Sequence, residues 1–287
     1  MTSLADQTDA GDPDTPDSRI WRICTWNVNS LAMRMQRLEQ LLASQTPDLV
    51  CLQETKMTDE KFPHGRFAEL GYQALHLGQP TYNGVAILAR LATVSSLRCL
   101  QRGIPGLSDP QQRFLLAEAD DLLIASIYVP NGQALDSEKY RYKLHWLEAL
   151  HCAIVEGNWA GQPLVLAGDY NIAPEDRDVH DPLQWEDQVL CSQAERDAFR
   201  KLIGAGFSDA LRLHDAQPGR YTWWDYRQLG FPLNRGLRID HILLGGSLGA
   251  QCVGCEILRE ERKGPKPSDH APVIARILRT PRGIAHQ

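Results

Sequence analysis

Seven short β-patterned runs, against only three stretches of helical periodicity, limit what this chain can fold into. The runs cover residues 21–26, 49–52, 84–89, 122–129, 164–167, 237–244 and 272–277. The first helix follows Ser30, where Leu31, Met35, Leu38 and Leu42 recur at i, i+4, i+7 and i+11; Pro47 stops it. The second, from about 136 to 156, places Leu147, Leu150 and Ile154 on one face and ends at Gly157. The third opens with the capping box Ser192-Gln-Ala-Glu195 and closes at Gly204. Many strands with few helices predict a mixed α/β protein, not a regularly alternating barrel or doubly wound sheet. No repeat or Gly/Ser linker divides residues 19–280, so they read as one domain, and 287 residues bury a core without a metal or disulfide staple.

The longest apolar runs are far below the ~20 residues of a membrane span. Net charge is −6, yet residues 1–18 hold five aspartates (Asp6, Asp9, Asp12, Asp14, Asp17) and no Lys or Arg. Without those five charges the rest carries −1, so total charge leaves room for a basic face. Residues 1–18 also lack the basic start and apolar stretch of a signal peptide and read as a disordered acidic extension; residues 281–287 read as a tail. Seven scattered cysteines do not make a disulfide framework. Cys252 and Cys255 spell C-x-x-C, but no second pair follows and VGCEIL reads as a strand, which argues against a zinc or redox role.

The chemistry-bearing residues fall at the ends of the apolar runs. Asn27 and Asn29 follow one, Glu54 ends LVCLQE, and Asp169 and Asn171 end LVLAGDYN. Asp269 and His270 precede the last run, and Asp240 interrupts LRIDHILL. Singly, an Asp or Asn after a strand is usually a turn former, and a lone histidine is more often structural. Asp240 differs, because a carboxylate between Ile239 and Ile242 needs a partner: a metal, a histidine or an arginine. If the strands are neighbours, all these groups share one crevice. Clustered carboxylates need a hard cation, and oxygen ligands suit Mg²⁺, with Mn²⁺ as a substitute. Such a site suits attack of water on a phosphate ester.

WNVNS, LVCLQETK, YNGVAILAR, YVPNG, VLAGDYNIAP, YTWWDYR, RGLRIDHILL and KPSDHAP occur in the order and approximate spacing of exonuclease III, the bacterial class of abasic-site endonucleases. From about residue 22 to 278 the chain therefore resembles that family, part of the deoxyribonuclease I-like endonuclease/exonuclease/phosphatase superfamily. The resemblance implies a four-layered α/β sandwich of two packed mixed β-sheets flanked by helices. It implies a Mg²⁺-dependent base-excision-repair nuclease that cuts the phosphodiester 5′ to abasic sites in duplex DNA and trims or cleans blocked 3′ ends. A monomer in the bacterial cytoplasm, associated with the nucleoid, is the matching expectation.

By the same resemblance Glu54 holds the metal, with Asn29 and Asp269 beside it, and Asn27 orders the network. Asp169 positions or deprotonates the attacking water, assisted by Asn171. His270 contacts the phosphate and Asp240 orients it; Tyr128 and Asn131 lie near the scissile phosphate. Trp223, Leu237 and Ile239 resemble the pocket for an extrahelical abasic sugar, Leu237 standing where some members carry Trp. Lys56, Tyr82, Asn83, Arg34, Lys139, Arg141 and Lys143 are candidate phosphate contacts, solvated surface charge being the bland alternative for each.

Three rival readings have specific signals. A lipid phosphodiesterase of the same superfamily would lack the WWDYR…NRGLRIDH segment. Gly245-Gly-Ser247-Leu-Gly249 matches the elbow of a serine hydrolase, but the elbow needs a helix after it and AQCVGCEI reads as extended. A silent DNA-binding module would have lost Glu54, Asp169 or His270; all three are present.

Overall fold

A computed structural model describes residues 20–279; the expected acidic extension (1–18) and C-terminal tail (281–287) lie outside the described residues. Within them the chain forms β1 (Ile20–Asn27), α1 (Leu31–Gln45), β2 (Leu49–Gln53), α2 (His64–Glu69), β3 (Tyr72–Leu77), β4 (Val85–Arg90), β5 (Leu97–Arg102) and β6 (Phe114–Ala119). It continues with β7 (Leu122–Tyr128), α3 (Glu138–Glu156), β8 (Leu164–Asp169), α4 (Gln193–Gly204), β9 (Ser208–Asp209), β10 (Asp240–Leu244), α5 (Leu248–Gln251), β11 (Cys252–Ile257) and β12 (Val273–Leu278). Two six-stranded sheets result, ordered β11-β12-β1-β2-β4-β3 and β5-β6-β7-β8-β10-β9. Only the β1–β2 and β7–β8 pairs are parallel, so both sheets are mixed. Among the described residues no helix is long and apolar enough to cross a membrane.

Period-2 alternation builds the layers. Ile23, Cys51 and Ile87 from one sheet meet Ala117, Ile124, Val165 and Ile242 from the other in the central core. On the opposite face of the first sheet, Cys24, Trp26, Val50 and Leu52 pack on Leu38, Leu41 and Leu42 of α1. The second sheet turns Phe114, Ala125, Ile127 and Leu166 toward Trp146, Leu147, Leu150 and Ile154 of α3 and Phe199 and Leu202 of α4. Each buried valine, leucine, isoleucine or phenylalanine among them contributes about 1.5–3 kcal/mol on burial. The result is the expected four-layered sandwich.

Gly168 shows how tightly the centre is built. A Cβ there would lie 1.9 Å from the Ile127 carbonyl oxygen of the parallel neighbour. The residue before the last position of β8 can therefore only be glycine.

Three expectations change. β10 begins at Asp240, not Leu237, because residues 237–239 are drawn away: Leu237 bridges to Trp223 and Val179. Asp240 thus opens its strand instead of interrupting it. Strands β3, β5, β6 and β9 were not among the seven runs; Phe114-Leu-Leu-Ala alternates poorly because both of its faces are buried. Finally, Leu248–Gln251 is a short helix where an extended chain was expected, the extended part starting at Cys252. Ser247 lies beyond Leu244, at the opposite end of β10 from Asp240, and the chain then enters an edge strand. Burial raises the thiol pKa values of Cys252 and Cys255, both free, so neither is a ready thiolate.

Candidate active site

Strand direction and register bring the predicted groups to one end of both sheets. Asn27 pairs with Gln53 across the parallel β1–β2 ladder, which leaves Glu54 next in the chain. In the other sheet Tyr128, Asp169 and Asp240 lie in one row across β7, β8 and β10. β12 runs antiparallel to β1, so His270, which precedes it, lies at the same end as Asn27. Trp26 Nε1 donates to the His270 carbonyl at 3.1 Å and Ser268 Oγ donates to the Asn27 carbonyl at 2.7 Å, fixing that approach.

Asp169 is buried and held by amides. Asn171 N donates to Oδ1 at 2.8 Å, while Asn27 Nδ2 and Asn171 Nδ2 donate to Oδ2 at 2.9 and 3.3 Å. Asn27 Nδ2 also donates to Glu54 Oε1 at 2.8 Å, as does the Tyr128 hydroxyl at 2.9 Å. His270 donates from Nδ1 to Asp240 at 2.9 Å, and its Nε2 faces Asp169 Oδ2 at 3.8 Å, too far for a hydrogen bond. Sequence reasoning missed the orienting role of Thr222, whose Oγ1 accepts the backbone N–H groups of Ile239 and Asp240 at 3.0 and 3.1 Å. A threonine ahead of WWDYR carries no signal of that task.

The charges oppose one another usefully. Burial dominates at Asp169 and pushes its carboxyl up to about 7, against the opposing charge of His270. Burial alone would lower the His270 imidazole, but Asp240 and Asp169 outweigh it and push it up to about 10. Burial and the Glu54 charge hold the Tyr128 phenol well above its usual range, so it stays a donor. Burial would raise Asp269, yet the His270 charge and hydrogen bonds from Trp223 and Asn29 prevail and keep it low.

The donor set fits a hard cation. Carboxylate oxygens of Glu54 and Asp169 and a ring nitrogen of His270 all lie within 4.8 Å of one another. Glu54 Oε2 and Asn29 Oδ1 already converge on a positive charge, the Lys56 ammonium, at 2.9 and 2.5 Å. Lys56 thus points inward to the carboxylate and not out as a free phosphate contact. Asp269, in contrast, spends its Oδ1 on Asn29 Nδ2 (2.9 Å) and its Oδ2 on Trp223 Nε1 (3.0 Å), and so braces the site.

The peripheral candidates separate. Tyr82 is 67% exposed. Together with Lys139, Asn131, Tyr128 and Arg113 it lines a cavity of about 830 Å³. Arg113, unnoticed in the sequence, lies 4.5 Å over the Tyr128 ring. Asn83 is buried and its amide donates to Gln79 and Gln111. Arg34 donates to the Tyr226 hydroxyl and the Pro267 carbonyl, and exposed Arg141 pairs with Glu138. Lys143 is a correction: it is wholly buried against Glu195 and reaches no surface phosphate. Leu237 and Ile239 are buried with Val179 and Leu190, leaving Trp223 half-buried over them.

Residues 24–270 match the model of the endonuclease/exonuclease/phosphatase family. Exodeoxyribonuclease III of Haemophilus influenzae is 33% identical, over 88% of this chain and 98% of that one. Among solved structures, the 3′ phosphatase NExo from Neisseria, bound to a product DNA hairpin, is 40% identical with a TM-score of 0.84. That match covers 89% of this chain and 98% of the other. An AP endonuclease from Archaeoglobus fulgidus is 32% identical with the same TM-score, over 91% of this chain and 100% of its own. The chain belongs to the endonuclease/exonuclease/phosphatase family and is a hydrolytic nuclease of its exodeoxyribonuclease III kind.

Proposed function

We propose that this DNA repair nuclease hydrolyses the phosphodiester 5′ to abasic sites in duplex DNA with Mg²⁺, leaving a 3′-hydroxyl, and also clears blocked 3′ ends. The observation that carries this reading is the convergence of Glu54, Asp169 and His270, each from a different part of the chain, on one point. Asp169, its oxygens aimed by Asn27 and Asn171, accepts a proton from the attacking water. Its raised pKa makes it a better base than an ordinary carboxylate. The attacking oxygen bonds to phosphorus as the bond from phosphorus to the 3′ oxygen breaks, and the departing oxygen takes a proton from solvent water to become the 3′-hydroxyl. His270, kept charged by Asp240, offers Nε2–H to the phosphate oxygen on which charge accumulates. Tyr128, protonated, holds Glu54 in place. A divalent cation on Glu54 and Asn29 would supply Lewis-acid neutralisation of the phosphate.

One feature favours a bias toward 3′ ends. Leu237 is 0% exposed, so it offers no free surface to an extrahelical sugar. The Neisseria relative is described as a 3′ phosphatase. Two duplexes decide between the readings, one with a single tetrahydrofuran abasic analogue and one with a nick bearing a 3′-phosphate. Each is incubated with the purified chain in Mg²⁺ or EDTA. Incision 5′ to the analogue, lost in EDTA, is expected. Action on the 3′-phosphate alone supports the second reading, and activity that survives EDTA overturns the metal-dependent mechanism.

A further inference from the structure

We propose that Lys143 is a positioning residue, which sets the rate of hydrolysis by holding the main chain of the two loops that orient Asp169. The proposal rests on the nuclease reading. Lys143 lies on α3 and is 0% exposed. An ammonium has three donors, and all have acceptors here: the Asn131 carbonyl at 3.1 Å, the Asn171 carbonyl at 2.6 Å and Glu195 Oε1. Glu195 is itself fixed. Its Oε2 accepts from Ser192 N and Oγ in the capping box of α4, and its Oε1 also accepts from Leu190 N.

The two carbonyls belong to the loops that leave β7 and β8. Asn171 has a left-handed backbone, φ 50°, a conformation that asparagine adopts more readily than most residues with a Cβ. From that conformation its N–H reaches Asp169 Oδ1, and its Nδ2 reaches Val129 O and Asp169 Oδ2. Asn131 Nδ2 donates to Asn171 Oδ1 at 3.1 Å, so the loops are also linked side chain to side chain. A buried ion pair seldom adds net stability over an apolar pair of the same size. What positions the loops is Lys143 itself, which ties α3 to both of them through the two carbonyls, while Glu195 balances its buried charge.

Lys143→Met and Glu195→Gln both break the ion pair, but only the first releases the carbonyls. With the full-length protein, Mg²⁺ and the tetrahydrofuran duplex, kcat of Lys143→Met falls on the order of 10–10²-fold, as small misplacements of reacting groups do. Its KM stays within about threefold, and kcat of Glu195→Gln stays within about twofold although its melting temperature drops. Equal kcat losses in the two single variants overturn the proposal. If circular dichroism shows Lys143→Met unfolded, the doubly neutral Lys143→Met/Glu195→Gln protein carries the same test, and parental kcat there overturns it. Failure of the parent to cut the duplex refutes the abasic-site reading itself, a separate result.

Discussion

At Asp169 a demand of folding and a demand of chemistry pull in opposite directions. The carboxylate is buried, and its pKa of about 7 lies above the usual carboxylate value. Folding therefore opposes its ionisation, a penalty that is absent below the unfolded pKa near 4 and complete above the folded one. Asp169→Asn removes both the penalty and the base. Its melting temperature should exceed the parent's at pH 8, with the gap closing toward pH 4, as scanning calorimetry reads directly. Its kcat should fall by at least ~10²–10³-fold while duplex affinity is kept; full activity would remove Asp169 from its role. His270 obeys the opposite sign. Its raised pKa contributes stability that is present below about pH 6.5 and is lost as pH rises through about 10. Asp240→Asn takes away the largest force raising it, so the alkaline limb of the kcat/KM profile should move to lower pH. An unmoved limb would mean that another group sets it.

Elements were legible where local chemistry is decisive. α1, α3 and α4 announce themselves by spacing and caps, and the Ser192–Glu195 box forms as the sequence implies. Other features depend on partners far along the chain. Lys143 lies four residues before Leu147 on the buried face of α3, but its charge reads as a surface contact. The deciding partner, Glu195, stands 52 residues further on. The start of β10 was misjudged for a related reason. Buried Arg238 is committed to Asp178 and Asp209 at 2.6 and 2.7 Å, and such a network pulls residues 237–239 out of the ladder. Arg238→Met leaves two buried carboxylates short of a partner, and denaturant unfolding should show a loss of about 3–5 kcal/mol. Gly168→Ala is harsher. Its methyl meets main chain of β7 that cannot move aside, so activity and folded yield should fall together.

The whole molecule unites the site from two sheets: Asn27 and Glu54 come from one, Tyr128, Asp169 and Asp240 from the other. No single sheet holds both the cation-binding oxygens and the base, which explains why string motifs hinted at the cluster while only packing could assemble it. Charge is also a property of the whole. Five aspartates without a basic residue fall within positions 1–18 of a chain whose net charge is −6. A polyanionic substrate is repelled by them wherever they sit within a Debye length of it, about 10 Å at 0.1 M salt. Removing residues 1–18 should therefore tighten binding to a tetrahydrofuran duplex at low salt and leave kcat alone. The two binding curves should merge as salt rises, because screening removes the repulsion while the phosphate contacts weaken equally in both proteins. Fluorescence anisotropy from 50 to 300 mM salt, concentrations of the order over which such binding changes steeply, reads the difference. Equal affinities at the lowest salt would place the acidic segment away from the DNA path.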